Sequence, residues 1–78
     1  MANIYYVKKG NLITIYNVPW DFVKETLVIF DVTYFDKLLN GKFKVTLRVP
    51  VYNSQKGMNT IKELIEKYEK TSNEEENQ

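Results

Sequence analysis

The fold is decided by the stretch Lys37-Leu38-Leu39-Asn40-Gly41-Lys42-Phe43-Lys44, which joins two segments rich in β-branched and aromatic residues. Asn-Gly is the strongest short-range signal of a β-hairpin, because both residues adopt positive φ at little cost. A two-residue turn here predicts strands over residues 26–38 and 42–52, with Leu38 opposite Phe43. That register gathers most of the apolar side chains on one face of the hairpin.

A helical interpretation of part of this stretch also stays open. Phe35, Leu38 and Leu39 fit the i, i+3, i+4 spacing of a helix face. Residues 34–40 would then form a short helix that Gly41 ends.

A second hairpin is predicted at the N-terminus. Residues 3–8 and 11–18 are rich in strand-forming side chains, and Gly10-Asn11 between them favours a tight turn. Pro19 ends the second strand. The segment that follows, 19–25, is either one or two helical turns or an ordered loop.

The C-terminal part predicts one amphipathic helix and a tail. Residues 59–70 carry an apolar stripe at helical spacing, and Thr60 with Glu63 forms a capping box. Residues 53–57 are expected to be a loop. The polar, acidic residues 71–78 are predicted to be a disordered tail.

Together these elements predict a single α+β domain over residues 1–70, in which two antiparallel hairpins form a small curled sheet or barrel with a C-terminal helix. One helix covers one face of a sheet. The second strand, however, is apolar on both faces: Ile13 and Ile15 lie on one, and Leu12, Tyr16 and Val18 lie on the other. The second face is therefore covered by barrel closure or by a second subunit in a homodimer, or it carries scattered exposed apolar residues.

Composition excludes several classes of function. The 78 residues include no Cys and no His, which removes disulfides, thiol chemistry and the usual zinc and imidazole sites. The glycines are isolated, and no carboxylate pair or clustered ligand set stands out. We therefore expect no enzyme activity, no cofactor and no metal. The longest apolar run is Leu27–Phe30, so we expect a cytoplasmic protein with no membrane partner.

The net charge of +1 conceals an uneven distribution of charge. Residues 1–57 carry eight Lys or Arg against four Asp or Glu, whereas residues 71–78 carry three Glu and no cation. A basic body favours an anionic partner. The candidate phosphate contacts lie at alternate positions of the fourth strand and at the first turn: Lys8, Lys9, Lys42, Lys44 and Arg48.

These features predict a small nucleic-acid-binding protein, most simply a DNA-binding one, that uses a basic hairpin face. Tyr5, Phe35 or Trp20 would stack on unpaired bases. The ordinary explanation is a solvated sheet face, where lysine also discourages edge pairing. The alternative function is a protein-interaction module or inhibitor that binds a host protein through Tyr and Trp side chains on an exposed sheet face. The Asn-, Lys-, Tyr- and Ile-rich composition fits AT-rich coding, as in viral, phage or plasmid accessory genes.

The segment Lys8-Lys9-Gly10-Asn11-Leu12-Ile13-Thr14-Ile15 resembles the opening of AbrB-type swapped-hairpin DNA-binding domains. The similarity is one of layout over residues 4–51, with Pro19–Glu25 at the position of the short helix and Gly41-Lys42 at the second turn. The chain departs from that family in the three residues before Pro19 and in lacking an Arg-rich helix. The resemblance implies an intertwined homodimer with a basic DNA-binding face, to which the C-terminal helix is an addition.

Overall fold

The chain forms a four-stranded antiparallel sheet with two helices on one of its faces. The computed structural model describes residues 3–76, with side chains through residue 70. The elements in chain order are β1 (Tyr5–Lys9), β2 (Leu12–Val18), α1 (Trp20–Ile29), β3 (Asp31–Lys37), β4 (Phe43–Arg48) and α2 (Ser54–Glu76). A short 3-10 turn at Val51–Asn53 directly precedes α2. The strand order is β1-β2-β4-β3. The α+β prediction is confirmed, and since the sheet is not closed, the barrel alternative is not adopted.

The first hairpin has a two-residue turn at Gly10 and Asn11. Lys9 pairs with Leu12, and the pairing continues without a shift to Tyr5 opposite Tyr16. Gly10 has φ +60°, the left-handed conformation that a type II′ turn requires at its first central position. Both strands lie close to their predicted positions.

The second hairpin has a three-residue loop, and this moves its register. The Leu38 N–H donates to the Lys42 carbonyl at 2.7 Å, and the Gly41 N–H donates to the Leu38 carbonyl at 3.0 Å. Gly41 has φ +86°, as expected of the glycine that ends such a loop. Lys37, not Leu38, therefore lies opposite Phe43. The hairpin prediction is confirmed, whereas the two-residue turn and the helix over 34–40 were wrong.

Residues 26–29 belong to α1, where the sequence predicted the start of a strand. The N–H groups of Phe22 and Val23 donate to the Pro19 carbonyl at 3.1 and 3.3 Å, so the helix begins directly after this proline. Phe22 and Val23 are buried, as is Thr26 one helical turn later, and these residues fix which side of α1 faces the sheet. The helical interpretation of 19–25 was right, but the helix runs further, to Ile29.

The core lies between the sheet and the two helices. Its buried apolar side chains come from β2, β4, the segment after β4, and both helices: Ile13, Ile15, Val18, Phe22, Val23, Val45, Leu47, Val49, Met58, Ile61 and Leu64. Val18 joins Ile13 and Ile15 because Asn17, at φ +64°, forms a bulge in β2. The prediction that Val18 faces the other side was therefore wrong.

The second helix starts at Ser54, earlier than the predicted 59. Residues 54–57 are its first turn, where the sequence predicted a loop, and Gly57 lies directly against the buried Val49 side chain. Thr60 is inside the helix, where its hydroxyl donates to the Lys56 carbonyl at 3.0 Å, so the predicted capping box does not form. The backbone continues as helix to Glu76, which covers most of the predicted disordered tail; residues 77 and 78 lie outside the described residues.

A hydrogen bond and an ion pair join α1 to α2 at the border of the core. The Tyr68 hydroxyl donates to the Glu25 carboxylate, and Lys67 Nζ lies 3.1 Å from the same carboxylate. The Tyr68 ring also packs edge-on against Phe22, with ring centroids 5.4 Å apart. The hydrogen bond from Tyr68, with a smaller contribution from Lys67, lowers the pKa of Glu25. Burial and the same hydrogen bond raise the pKa of Tyr68 to about 12.

This contact should make stability fall at both ends of the pH range. The lowered pKa of Glu25 stabilises the fold above its ordinary value of 4.5, and this stabilisation is lost as the pH falls through the lowered value. The raised pKa of Tyr68 stabilises the fold below the ordinary value of 10.0, and this is lost as the pH rises towards about 12. We measure the melting temperature as a function of pH. We expect Tyr68→Phe to reduce its fall with decreasing pH in the acid range and its fall with increasing pH in the alkaline range. Equal slopes in the variant and the parent would contradict this.

Candidate binding face of the sheet

The side of the sheet away from the helices is uncovered in the chain, and we call it the open face. Strand pairing arranges its side chains in three rows that run across the sheet. The first row is Tyr5, Tyr16, Lys44 and Asp36; the second is Val7, Thr14, Thr46 and Tyr34; the third is Lys9, Leu12, Arg48 and Asp31.

Three tyrosines dominate one end of the open face. The rings of Tyr5 and Tyr16 are stacked, with centroids 4.8 Å apart and planes 9° from parallel. Tyr34 is 50% exposed, and Lys44 Nζ lies 5.7 Å from the centre of its ring. Interaction with the Tyr34 hydroxyl raises the pKa of Lys44, so this lysine stays charged among the rings. Exposed aromatic faces suit flat ligands that stack on them, and a cation beside them suits an anionic group on the same ligand.

Hydroxyl groups occupy the middle of the open face. The Thr14 and Thr46 hydroxyls lie 3.0 Å apart and share a hydrogen bond across β2 and β4. Thr46 is buried among its neighbours, while its backbone carbonyl accepts a hydrogen bond from the Thr33 hydroxyl at 3.1 Å. A hydroxyl pair can both donate to and accept from a ligand that rests between the tyrosines.

Charges of both signs border the face. Arg48 lies 3.8 Å from Asp31 at the end of the third row, and Asp36 is opposite Lys44 in the first. The three cations Lys9, Lys44 and Arg48 thus stand against two carboxylates. The face is only slightly basic, so long-range attraction of an anion would be modest.

The five predicted phosphate contacts do not form one patch. Lys9, Lys44 and Arg48 share the open face. Alternation along the fourth strand predicted this for Lys44 and Arg48. Lys8 alternates to the helix side of β1, and Lys42 lies in the second turn, before β4 begins.

Of the predicted stacking residues, only Tyr5 lies on the open face. Trp20 packs against Phe35 and Phe43 at centroid distances of 5.4 and 5.3 Å, on the side that faces the helices. Sequence reasoning placed Tyr16 with Leu12 on this side of β2, but it named neither Tyr16 nor Tyr34 as a stacking residue. The signal for Tyr16 was its even spacing from Leu12 and Thr14, whereas Tyr34 depended on the register and on a bulge in β3 between Val32 and Tyr34.

Comparison with protein-family models, curated proteins and solved structures found no match. The resemblance to swapped-hairpin DNA-binding domains therefore stays a prediction. In the part of the chain that the structure describes, no helix combines the length and apolar character needed to cross a membrane. Within the same residues, Asp and Glu side chains form no cluster of three or more suited to a metal ion.

Proposed function

We propose that the open face binds single-stranded nucleic acid. Bases would stack on Tyr5, Tyr16 and Tyr34, while Lys9, Lys44 and Arg48 contact the phosphates. The observation that carries the proposal is a group of three tyrosines, of which Tyr5 and Tyr34 are about half exposed, with Lys44 beside them on a sheet face that no element of the described chain covers. Stacking on aromatic side chains, with cations close to the backbone, is how sheet-faced domains bind unpaired strands.

The width of the sheet favours a single strand over a duplex. Four strands about 4.8 Å apart span roughly 14 Å before side chains are added. The major groove of DNA is about 12 Å wide and admits a two-stranded ribbon. In this chain both hairpins belong to one sheet, so neither presents a free ribbon that could enter a groove.

The charges of the face favour stacking over phosphate contacts as the main source of affinity. With at most three phosphates contacted, the slope of log K against log salt for a single strand should be about −2. Each base stacked on a tyrosine contributes about 1–3 kcal/mol. The tyrosines therefore outweigh the cations at physiological salt.

Fluorescence anisotropy with labelled oligonucleotides tests the proposal. We expect short oligothymidine and oligouridine to bind, with a duplex of the same length binding more weakly. Titrations at about 50 mM and about 200 mM salt measure the slope. The thymidine and uridine arms separate DNA from RNA as the ligand. Absence of binding to both at the lower salt would refute the proposal.

Replacement of one tyrosine should weaken binding without unfolding the chain. Tyr34→Ala should raise Kd roughly 5- to 150-fold, since one stacked base is lost. Tyr52→Ala is the matched control, because Tyr52 is 93% exposed and lies outside the sheet. Equal Kd values for the two variants would contradict the assignment of the face.

The charge contribution has its own matched pair of variants. Lys44→Gln should make the salt slope shallower by about 0.7, because one phosphate contact is lost. Lys56→Gln removes the same charge from the first turn of α2 and should leave the slope unchanged. If instead a protein proves to bind this face, with salt-independent affinity that Tyr34→Ala abolishes, the function is protein interaction and the nucleic-acid proposal fails.

A further inference from the structure

The sheet has two edges, and they differ in their capacity to pair. An edge strand exposes unpaired main-chain groups, which bulges and charged side chains normally protect. At one edge, β3 has a register shift between Val32 and Tyr34 and carries Asp31, Asp36 and Lys37. At the other edge, β1 also carries charged side chains, Lys8 and Lys9, but it pairs regularly with β2 over its whole length, so the regular pairing and not the charge distinguishes the two edges. Of the two edge strands, β1 is therefore the one whose backbone is regular enough to pair with another strand.

The main-chain groups of β1 that point away from the sheet can be identified from the turn. The pair Lys9–Leu12 closes a two-residue turn and is hydrogen-bonded, and hydrogen-bonded pairs alternate along an antiparallel ladder. Lys9, Val7 and Tyr5 therefore bond to β2. The N–H and C=O groups of Tyr6 and Lys8 face outward.

We infer that two copies of the chain pair through β1, antiparallel and centred on Val7. In this register Tyr6 of one copy lies opposite Lys8 of the second copy, so the outward main-chain groups meet each other. A two-fold interface must be self-complementary, and β1 is: its first half is Tyr5-Tyr6 and its second half is Lys8-Lys9. The two half-exposed Val7 side chains meet on the axis.

Charge complementarity on the helix side of the sheet supports the choice of a second copy. A groove of about 480 Å³ runs between β1 and α2. Ile4, Tyr6 and Ile65 are its apolar lining, and Glu66, Glu69 and Lys62 stand along its α2 wall. Lys8 alternates to this side of β1, so in the proposed register Lys8 of the second copy lies over the groove, next to the two carboxylates.

The open face supplies a matching contact on the other side of the sheet. Lys9 of the second copy lies opposite Tyr5, whose ring is stacked on Tyr16, and a lysine beside aromatic rings is favourable. Pairing in the plane of the sheet covers Tyr5 from the edge, leaves Tyr16, Tyr34 and Lys44 uncovered, and makes the open face continuous over eight strands. The inference does not depend on what that face binds.

Light scattering of the full chain across a range of concentrations tests the pairing. We expect a mass of twice 9.3 kDa at high concentration. Lys8→Glu, which sets a carboxylate against Glu66 and Glu69, should raise the dimer Kd about tenfold or more. Lys8→Pro removes an outward N–H without breaking the ladder to β2 and should do the same.

Control variants separate this edge from the other one and from general effects of charge. Lys37→Glu makes the same charge change on β3 and should leave the dimer Kd unchanged. Lys8→Glu combined with Glu66→Lys and Glu69→Lys should restore it. A chain that is monomeric at every concentration would overturn the inference. So would a dimer that Lys37→Glu weakens and the Lys8 variants do not, or an oligomer larger than two. Circular dichroism of each variant confirms that the fold is retained.

Discussion

Replacing Phe22 by alanine should leave about half of the molecules or more unfolded at room temperature. Phe22 is fully buried where α1 meets the sheet and α2, and its ring packs against Tyr68. Removing a buried phenylalanine side chain costs about 3–5 kcal/mol. A core of this size provides only about 3–5 kcal/mol of net stability. The loss is therefore as large as the whole free energy of unfolding.

Urea denaturation followed by circular dichroism measures this effect. Val28→Ala is the matched control, because Val28 belongs to the same helix but is 86% exposed. We expect it to change the free energy of unfolding by no more than about 0.5 kcal/mol. If Phe22→Ala unfolds cooperatively with a urea midpoint close to that of the parent, Phe22 of α1 does not pack in the core as described.

Gly57→Ala should destabilise the chain even though alanine is the better helix former. Within a helix, alanine is favoured over glycine by about 1 kcal/mol. A Cβ at Gly57, however, would lie 2.5 Å from Val49 Cγ1, and Val49 is buried and held in the core. Overpacking of this kind costs about 1–3 kcal/mol. The cost of overpacking exceeds the gain in helix propensity over most of its range, so we expect a net loss of up to about 2 kcal/mol.

A double-mutant cycle distinguishes this contact from a general effect on the helix. Val49→Ala alone should destabilise by removing buried methyl groups. Combined with it, Gly57→Ala should become neutral or stabilising, because the clash is gone and the propensity gain remains. Simple additivity of the two changes in unfolding free energy would show that Gly57 and Val49 do not approach each other.

The sequence predicted the pattern of strands well where glycine fixed the turns. Gly10 and Gly41 both occupy positive φ at the ends of hairpins, as their positions indicated. The register was wrong at the second turn because Asn-Gly also suits a three-residue loop, and local residues do not distinguish the two. Residues 26–29 were assigned to a strand because their apolar run has no helical period of its own. These residues are helical because α1 buries Phe22 and Val23 against the sheet, and that burial depends on tertiary packing.

The candidate face was only half predictable for the same reason. Alternation within β4 correctly grouped Lys44 and Arg48, because a strand has a fixed period. Which residues stand beside them depends on the register and on two bulges, in β2 and in β3. Tyr16 follows from the same alternation in β2, whereas Tyr34 enters the face only once the register and the bulge in β3 are known.

The bulge at Asn17 has a consequence for the two faces of the sheet. One extra residue shifts the phase of side-chain alternation after Tyr16, so that Tyr16 points to the open side and Val18, two residues later, points to the core. Asn17 is held there by hydrogen bonds to the Asn3 carbonyl and from the Asn40 side chain. α1 starts three residues after Asn17, at Trp20, and Val18 points to the same side of the sheet as that helix. Without the bulge, simple alternation would place Val18 on the open face, and α1 would follow from a strand of the opposite phase. Asn17 thus keeps the last side chain of β2 in the core and off the open face, which no helix of the described chain covers.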